Sequence, residues 1–87
     1  MALSSIKSNT RAIKFDGEDK ASYSPWKTAI ELEADGLFLS DAEWLEILQL
    51  RTTGSALKIV KKGRQLAIDN PKDGLDYIWD IFNTWYG

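Results

Sequence analysis

The chain has 87 residues, 44% of them hydrophobic and 28% charged, and a net charge of −2. That is enough for one small domain with one core, too apolar for a disordered chain, and not basic enough for charge alone to demand nucleic acid. It holds neither cysteine nor histidine, which excludes disulfides and thiolate-bound metal and removes the commonest general base and metal ligand.

No apolar run approaches the roughly 20 residues that cross a membrane, and the N-terminus lacks a signal-peptide core. The expected location is therefore cytoplasmic, with no membrane partner. Residues 1–14 read as a polar N-terminal arm, with Ile6 and Ile13 widely spaced. The arm is expected to be flexible with a short extended end at residues 12–15, or else to dock as a strand on its own domain or on a neighbour. Phe15-Asp16-Gly17 follows as a turn, with Phe15 anchoring the core and Gly17 free to take a positive φ.

Ser24-Pro25-Trp26 predicts a helix start, serine capping and proline in the first turn. This helix is expected over residues 25–35, ended by Gly36. Trp26, Ala29, Ile30 and Leu37 share its inner face, and Glu33 falls among them as a satisfied or peripheral carboxylate, a lysine being one candidate partner. Ser40-Asp41-Ala42-Glu43 spells a capping box, flanked by Leu39 and Trp44 at the positions of a hydrophobic staple. The second helix is expected over residues 41–51, with Trp44, Ile47 and Leu48 inward and Leu45 and Leu50 broadening the apolar face.

A third helix is expected over residues 55–68. Ala56, Ile59, Val60, Gly63, Leu66 and Ala67 form its inner stripe, and its small residues suit close approach of a neighbour. Gly63 costs about 1 kcal/mol of helix propensity relative to alanine, which points to a packing role. Asn70-Pro71 ends this helix and starts the last one. Residues 71–87 carry five of the ten aromatic residues. At about 100° per residue, Leu75, Ile78, Trp79, Phe82, Trp85 and Tyr86 share one face, while Tyr77 and Ile81 flank it. The fold class is all-α, a compact bundle of about four helices with an N-terminal extended arm.

Residues that carry chemistry are sparse. The serines lack a base, and Thr53-Gly54-Ser55 is too short for a phosphate-binding loop. The carboxylates of Asp73, Asp76 and Asp80 near the start of the last helix suit its dipole. No cofactor, metal or enzyme activity is expected. Lys58, Lys61, Lys62 and Arg64 form the clearest basic cluster, the lysines on the outer side of the third helix and Arg64 at its edge. They are candidate RNA contacts of low, salt-sensitive affinity, without interleaved aromatic residues for base stacking. The aromatic surplus is the other feature. Tyr77, Ile81 and Trp85, with Leu45 and Leu50, are candidate contacts to something outside the domain.

Several short motifs occur in order: Lys14-Phe15-Asp16-Gly17, Tyr23-Ser24-Pro25-Trp26, Leu39-Ser40-Asp41, Gly54-Ser55-Ala56 and Trp85-Tyr86-Gly87. In that order the chain resembles the Gag capsid region of LTR retrotransposons, most similar to the BEL/Pao and gypsy types and to Arc-like host proteins derived from them. The resemblance covers residues 13–87. It departs at Thr52, where the family places leucine, beside the polar Arg51 and Thr53. It implies an all-α capsid N-terminal domain over residues 15–87, bordered by a C-terminal capsid domain of the same chain. The implied function is structural: self-assembly into a shell that encloses RNA without this domain binding it tightly. In Arc-like relatives the corresponding lobe also binds short peptides, which here implies a groove lined by Phe15, Tyr23, Trp26 and the last helix.

Overall fold

The computed structural model describes residues 12–87. Four helices follow in order: α1 Tyr23–Ala34, α2 Asp41–Leu50, α3 Gly54–Leu66 and α4 Pro71–Tyr86, with a single 3₁₀ turn, Lys20–Ser22, leading into α1. No strand occurs among the described residues. Phe15 and Thr52 form one isolated parallel bridge. The all-α expectation is met. Most of the arm, residues 1–11, lies outside the described residues.

The start of α1 differs from the expectation. Asp19 caps the 3₁₀ turn by accepting from the Ala21 N–H, and its carbonyl accepts both the Ser22 N–H and the Ser22 hydroxyl. The helix therefore begins at Tyr23, and Ser22, not Ser24, is its N-cap, without a side-chain bond. Pro25 sits third, where an amide would have no intrahelical acceptor, so it breaks no bond. The other boundaries follow local chemistry. Gly36 ends α1 with φ +78° and has nothing near its absent Cβ, so backbone freedom is its whole role. Ser40 and Glu43 form the complete capping box. Asn70 caps α4 through the Lys72 N–H, with Pro71 first in the helix.

The helix α3 begins one residue early, at Gly54, and stops at Leu66 rather than Ile68. Leu66 is 47% exposed instead of inward. It is the last residue of the helix. The buried line of α3 packs on α4 at very short range. A methyl group added at Gly63 would run into the Ile78 side chain and lie 2.9 Å from the Gly74 carbonyl oxygen. One added at Gly74 would meet the Gly63 carbonyl oxygen and lie 2.5 Å from the Ala67 Cβ. The two glycines thus let the backbones of α3 and α4 touch.

Helix α4 packs on both α3 and α2, so its buried arc is wide. Leu75, Ile78 and Phe82 are buried, and Tyr77, Trp79 and Ile81 are half-buried against the core. Trp85 departs from its expected inward place and is 57% exposed. The α3–α4 hairpin is antiparallel, with Gly63 opposite Gly74 and Ile78. In that register Trp85 falls level with Gly54, where α3 has only begun. The core gathers Phe15, Tyr23, Trp26 and Ile30 with Leu45, Ile47 and Leu48 of α2, Val60 of α3 and the buried line of α4.

The polar joint between α2 and α3 is buried and fully used. The Phe15 N–H and the Trp26 Nε1–H both donate to the Arg51 carbonyl, each at 2.9 Å. The Thr53 N–H donates to the Phe15 carbonyl at 2.9 Å. Thr52 Oγ1 donates to the Leu48 carbonyl at 2.7 Å. Thr52 thus meets its hydroxyl's needs inside α2, which is how a threonine fits a buried position. Glu33 is paired, but with Arg51 rather than a lysine, at 2.5 Å.

Candidate interaction surfaces

The residues expected to line a peptide groove, Phe15, Tyr23 and Trp26, are core residues, and Leu45, expected as an outward contact, is buried as well. The chain returns after the arm and lays Phe15 between α1 and α4, tied down by its two bonds to the α2–α3 joint. Its ring centre lies 5.3 Å from Trp26, 5.5 Å from Tyr23 and 4.9 Å from Tyr86. Phe82 closes the cluster from below at 6.1 Å. Close aromatic packing of this kind favours a filled core, and it leaves no slot along these rings. Trp26 alone of the four reaches an opening. It lies at a cleft of about 250 Å³, with Ala12, Ile13, Pro25, Ala29, Ile30, Glu33 and Arg51 around it.

Aromatic chemistry inside the cluster is quiet. The Tyr23 hydroxyl donates to Asn83 Oδ1 at 2.7 Å. Burial, and then the nearby Glu31 charge, push its pKa up to about 12. Tyr86 is raised as well, by burial first and then by Glu18 and Asp16. Both phenols therefore stay neutral donors near neutral pH. The Tyr86 ring stands over Gly17, where an added methyl would lie 2.8 Å from its hydroxyl oxygen and 2.9 Å from the Ala56 nitrogen. Among the described residues no group of three acidic side chains is placed to hold a metal ion.

The outward surfaces divide into an apolar and a charged set. Tyr77, Ile81 and Trp85 form a ridge along α4 that rises from half-buried to exposed. Leu50 is 44% exposed and borders a second cleft, of about 290 Å³, with Glu46, Gln49 and Arg64. Arg64 donates to Gln49 Oε1 at 2.6 Å. That bond turns Arg64 toward α2 and separates it from Lys58, Lys61 and Lys62, which are exposed on the far side of α3. The expected four-cation cluster is therefore a three-lysine row. Lys27 lies over the Trp79 ring at 5.4 Å.

Phe38 was not expected at the surface. It is 95% exposed and holds φ +53°, in the short loop between α1 and α2. An aromatic residue in the left-handed region is strained. The run Gly36-Leu37-Phe38-Leu39 was the available signal, since three apolar residues in so short a loop cannot all turn inward. Leu37 and Leu39 do pack on the core.

Comparison with protein-family models finds no match, and neither does comparison with curated proteins or with solved structures.

Proposed function

We propose that the chain is a structural assembly module, the N-terminal domain of a Gag-type capsid protein whose copies pack into a shell that encloses RNA. On this reading it is no enzyme, it works in the cytoplasm, and a C-terminal capsid domain follows it. The observation that carries the reading is the convergence of the residues behind the resemblance. Asp16 accepts the Ala56 N–H through its carbonyl, so the Phe15-Asp16-Gly17 turn seats on the start of α3. Gly54 packs beneath Asp16, with φ +55°. Tyr23, Trp26 and Tyr86 surround Phe15. Motifs far apart in sequence thus meet as one structural unit, which supports reading them together rather than as separate coincidences.

The apolar ridge of Tyr77, Ile81 and Trp85 supports contact with a further copy. Trp is enriched in the centres of protein interfaces, where a few anchors dominate the binding energy. Sedimentation velocity and negative-stain electron microscopy of the chain at millimolar concentration in a salting-out buffer test the reading, because excluded salts strengthen apolar contacts. Regular sheets, tubes or particles are expected, and Trp85→Ser removes them. A protein that stays monomeric under these conditions overturns it.

A second reading, a peptide-binding adaptor, rests on the cleft beside Ala12 and Ile13. It combines apolar walls with the charged pair Glu33 and Arg51. Chemical-shift changes at Ile13, Ala29 and Ile30 on adding apolar peptides support it, and unchanged shifts there remove it.

A further inference from the structure

The outer faces of the two most closely packed helices carry opposite charge. On α3, Lys58, Lys61 and Lys62 are exposed at i, i+3 and i+4, with exposed Gln65 extending the row. On α4, Asp73, Asp76 and Asp80 are exposed at i, i+3 and i+7, with exposed Thr84 extending theirs. Residues at these spacings lie along one side of a helix. The lysine row spans roughly 6 Å and the aspartate row roughly 10 Å at about 1.5 Å per residue. The two rows do not neutralise each other within the molecule. Lys58, Lys61 and Lys62 make no ion pair among the described residues, nor do Asp73 and Asp80. Asp76 meets only the exposed Lys72, at 4.0 Å.

We infer that these rows are the two halves of a head-to-tail contact, the lysine row of one copy lying on the aspartate row of the next. The rows match in number of charges, and they sit on the outer faces of different helices of the same molecule. One copy can therefore receive a neighbour on each side. Such a heterologous contact closes into a ring or runs on as a filament according to the rotation it imposes. A nucleic-acid strand on the lysine row is disfavoured by the aspartates on the adjoining helix and by the net charge of −2. Three exposed ion pairs form a weak contact alone. Its strength in an assembly comes from repetition, because each copy is then held at more than one place. The inference gives the self-association proposed above a second surface, yet it rests on the charges alone, and the two fail separately.

Sedimentation of the whole chain across a salt series is the first test. Raising salt from about 0.01 M to about 1 M shortens the Debye length from about 30 Å to about 3 Å, so association is expected to weaken at least about tenfold. Apolar association through Trp85 moves the other way. The triple variant Lys58→Glu, Lys61→Glu, Lys62→Glu and the triple variant Asp73→Lys, Asp76→Lys, Asp80→Lys are each expected to be monomeric at low salt, with circular dichroism confirming their folds. Mixed one to one they are expected to co-assemble, because the reversed rows are complementary again, the new glutamates of one variant facing the new lysines of the other. The chain has no cysteine, so Gln65→Cys and Thr84→Cys place single thiols beside the two rows without altering either. Mild oxidation of their mixture is expected to yield mainly the mixed disulfide dimer. Two equal populations of like dimers overturn the inference. So does association of the lysine variant at wild-type strength, or loss of polyuridine binding by that variant with self-association unchanged. Loss of assembly on Trp85→Ser with no response to the charge variants overturns this inference and leaves the proposed function standing.

Discussion

Replacing Gly74 by alanine probes the contact that sets the spacing of α3 and α4. The new methyl group would overlap the Gly63 carbonyl oxygen and lie 3.1 Å from the Gly63 carbonyl carbon. Both atoms belong to backbone, so no side chain can swing aside. The helices must part, and a gap of about 0.5–1 Å forfeits a quarter to a half of the dispersion energy across the seam. Ile59, Val60, Leu75 and Ile78 all lie in the buried core there. Overpacking of this kind costs typically about 1–3 kcal/mol, and a rigid obstacle places it at the upper end. Alanine returns about 1 kcal/mol of helix propensity. With the weakened seam added, the net loss is about 2–3 kcal/mol. For a domain of this size about 1 kcal/mol moves the melting temperature by roughly 4–8 °C, so a fall of roughly 10–20 °C is expected by calorimetry. Gly63→Ala is the internal control. Its methyl meets the Ile78 side chain, which can adjust, and one backbone atom less closely, the Gly74 carbonyl oxygen at 2.9 Å, so its expected loss is smaller, about 1–2 kcal/mol. A Gly74→Ala protein melting at or above the wild-type temperature refutes the backbone-contact argument.

Glu33→Ala leaves the buried Arg51 guanidinium without this carboxylate; urea denaturation is expected to show a loss of about 3 kcal/mol, and Glu33→Gln a smaller one. Tyr23→Phe removes the bond to Asn83, and the same measurement is expected to show about 1 kcal/mol less stability at neutral pH. The Tyr23 pKa is raised from 10.0 to about 12 in the folded state, so its contribution is complete below the unfolded value and is lost as pH rises through the folded one. Between those two pH values the wild type is expected to lose stability more steeply than Tyr23→Phe, and parallel curves contradict the assignment. Phe38→Gly frees a strained position whose ring touches little, so the melting temperature is expected to stay level or rise, by up to about 1 kcal/mol of stability.

Features encoded within a few residues were legible in the sequence. The capping box at Ser40 and Glu43, the left-handed Gly36 and the Asn70-Pro71 start of α4 each follow from side chains one to three positions apart. Features that join distant segments were not. Glu33 lies 18 positions from Arg51, and no local pattern names the partner of a half-buried carboxylate. The start of α1 was misplaced because Asp19 and Ser22 offer caps just upstream of Ser24, and the 3₁₀ turn decides between them. Gly74 went unnoticed because a glycine in a first helical turn looks like a helix start, and only the register with Gly63 shows its use. Among the surface residues, periodicity turned Lys58, Lys61 and Lys62 outward correctly. It placed Arg64 at the edge of that face, and could not name its Gln49 partner, because that bond depends on how α2 sits beside α3.

The surplus of aromatic residues had two explanations, a deep core or an outward surface, and they divide along the chain. Phe15, Tyr23, Trp26, Phe82 and Tyr86 form one cluster whose members come from the segment before α1, from α1 and from α4. Packing alone accounts for Phe15, Tyr23, Trp26 and Tyr86, four of the residues in the ordered motifs. Residues that hold a fold together speak for the fold, and activity is argued from the surface. What is left outside is small and specific: Trp85 level with the bare start of α3, Leu50 beside the α2–α3 cleft, and two rows of opposite charge on adjoining helices. None of these is needed to close the core. On the assembly reading proposed above, the apolar ridge supplies affinity while the charged rows select orientation and register. The two forces answer salt in opposite senses, so one titration separates the contact that binds from the contact that aligns.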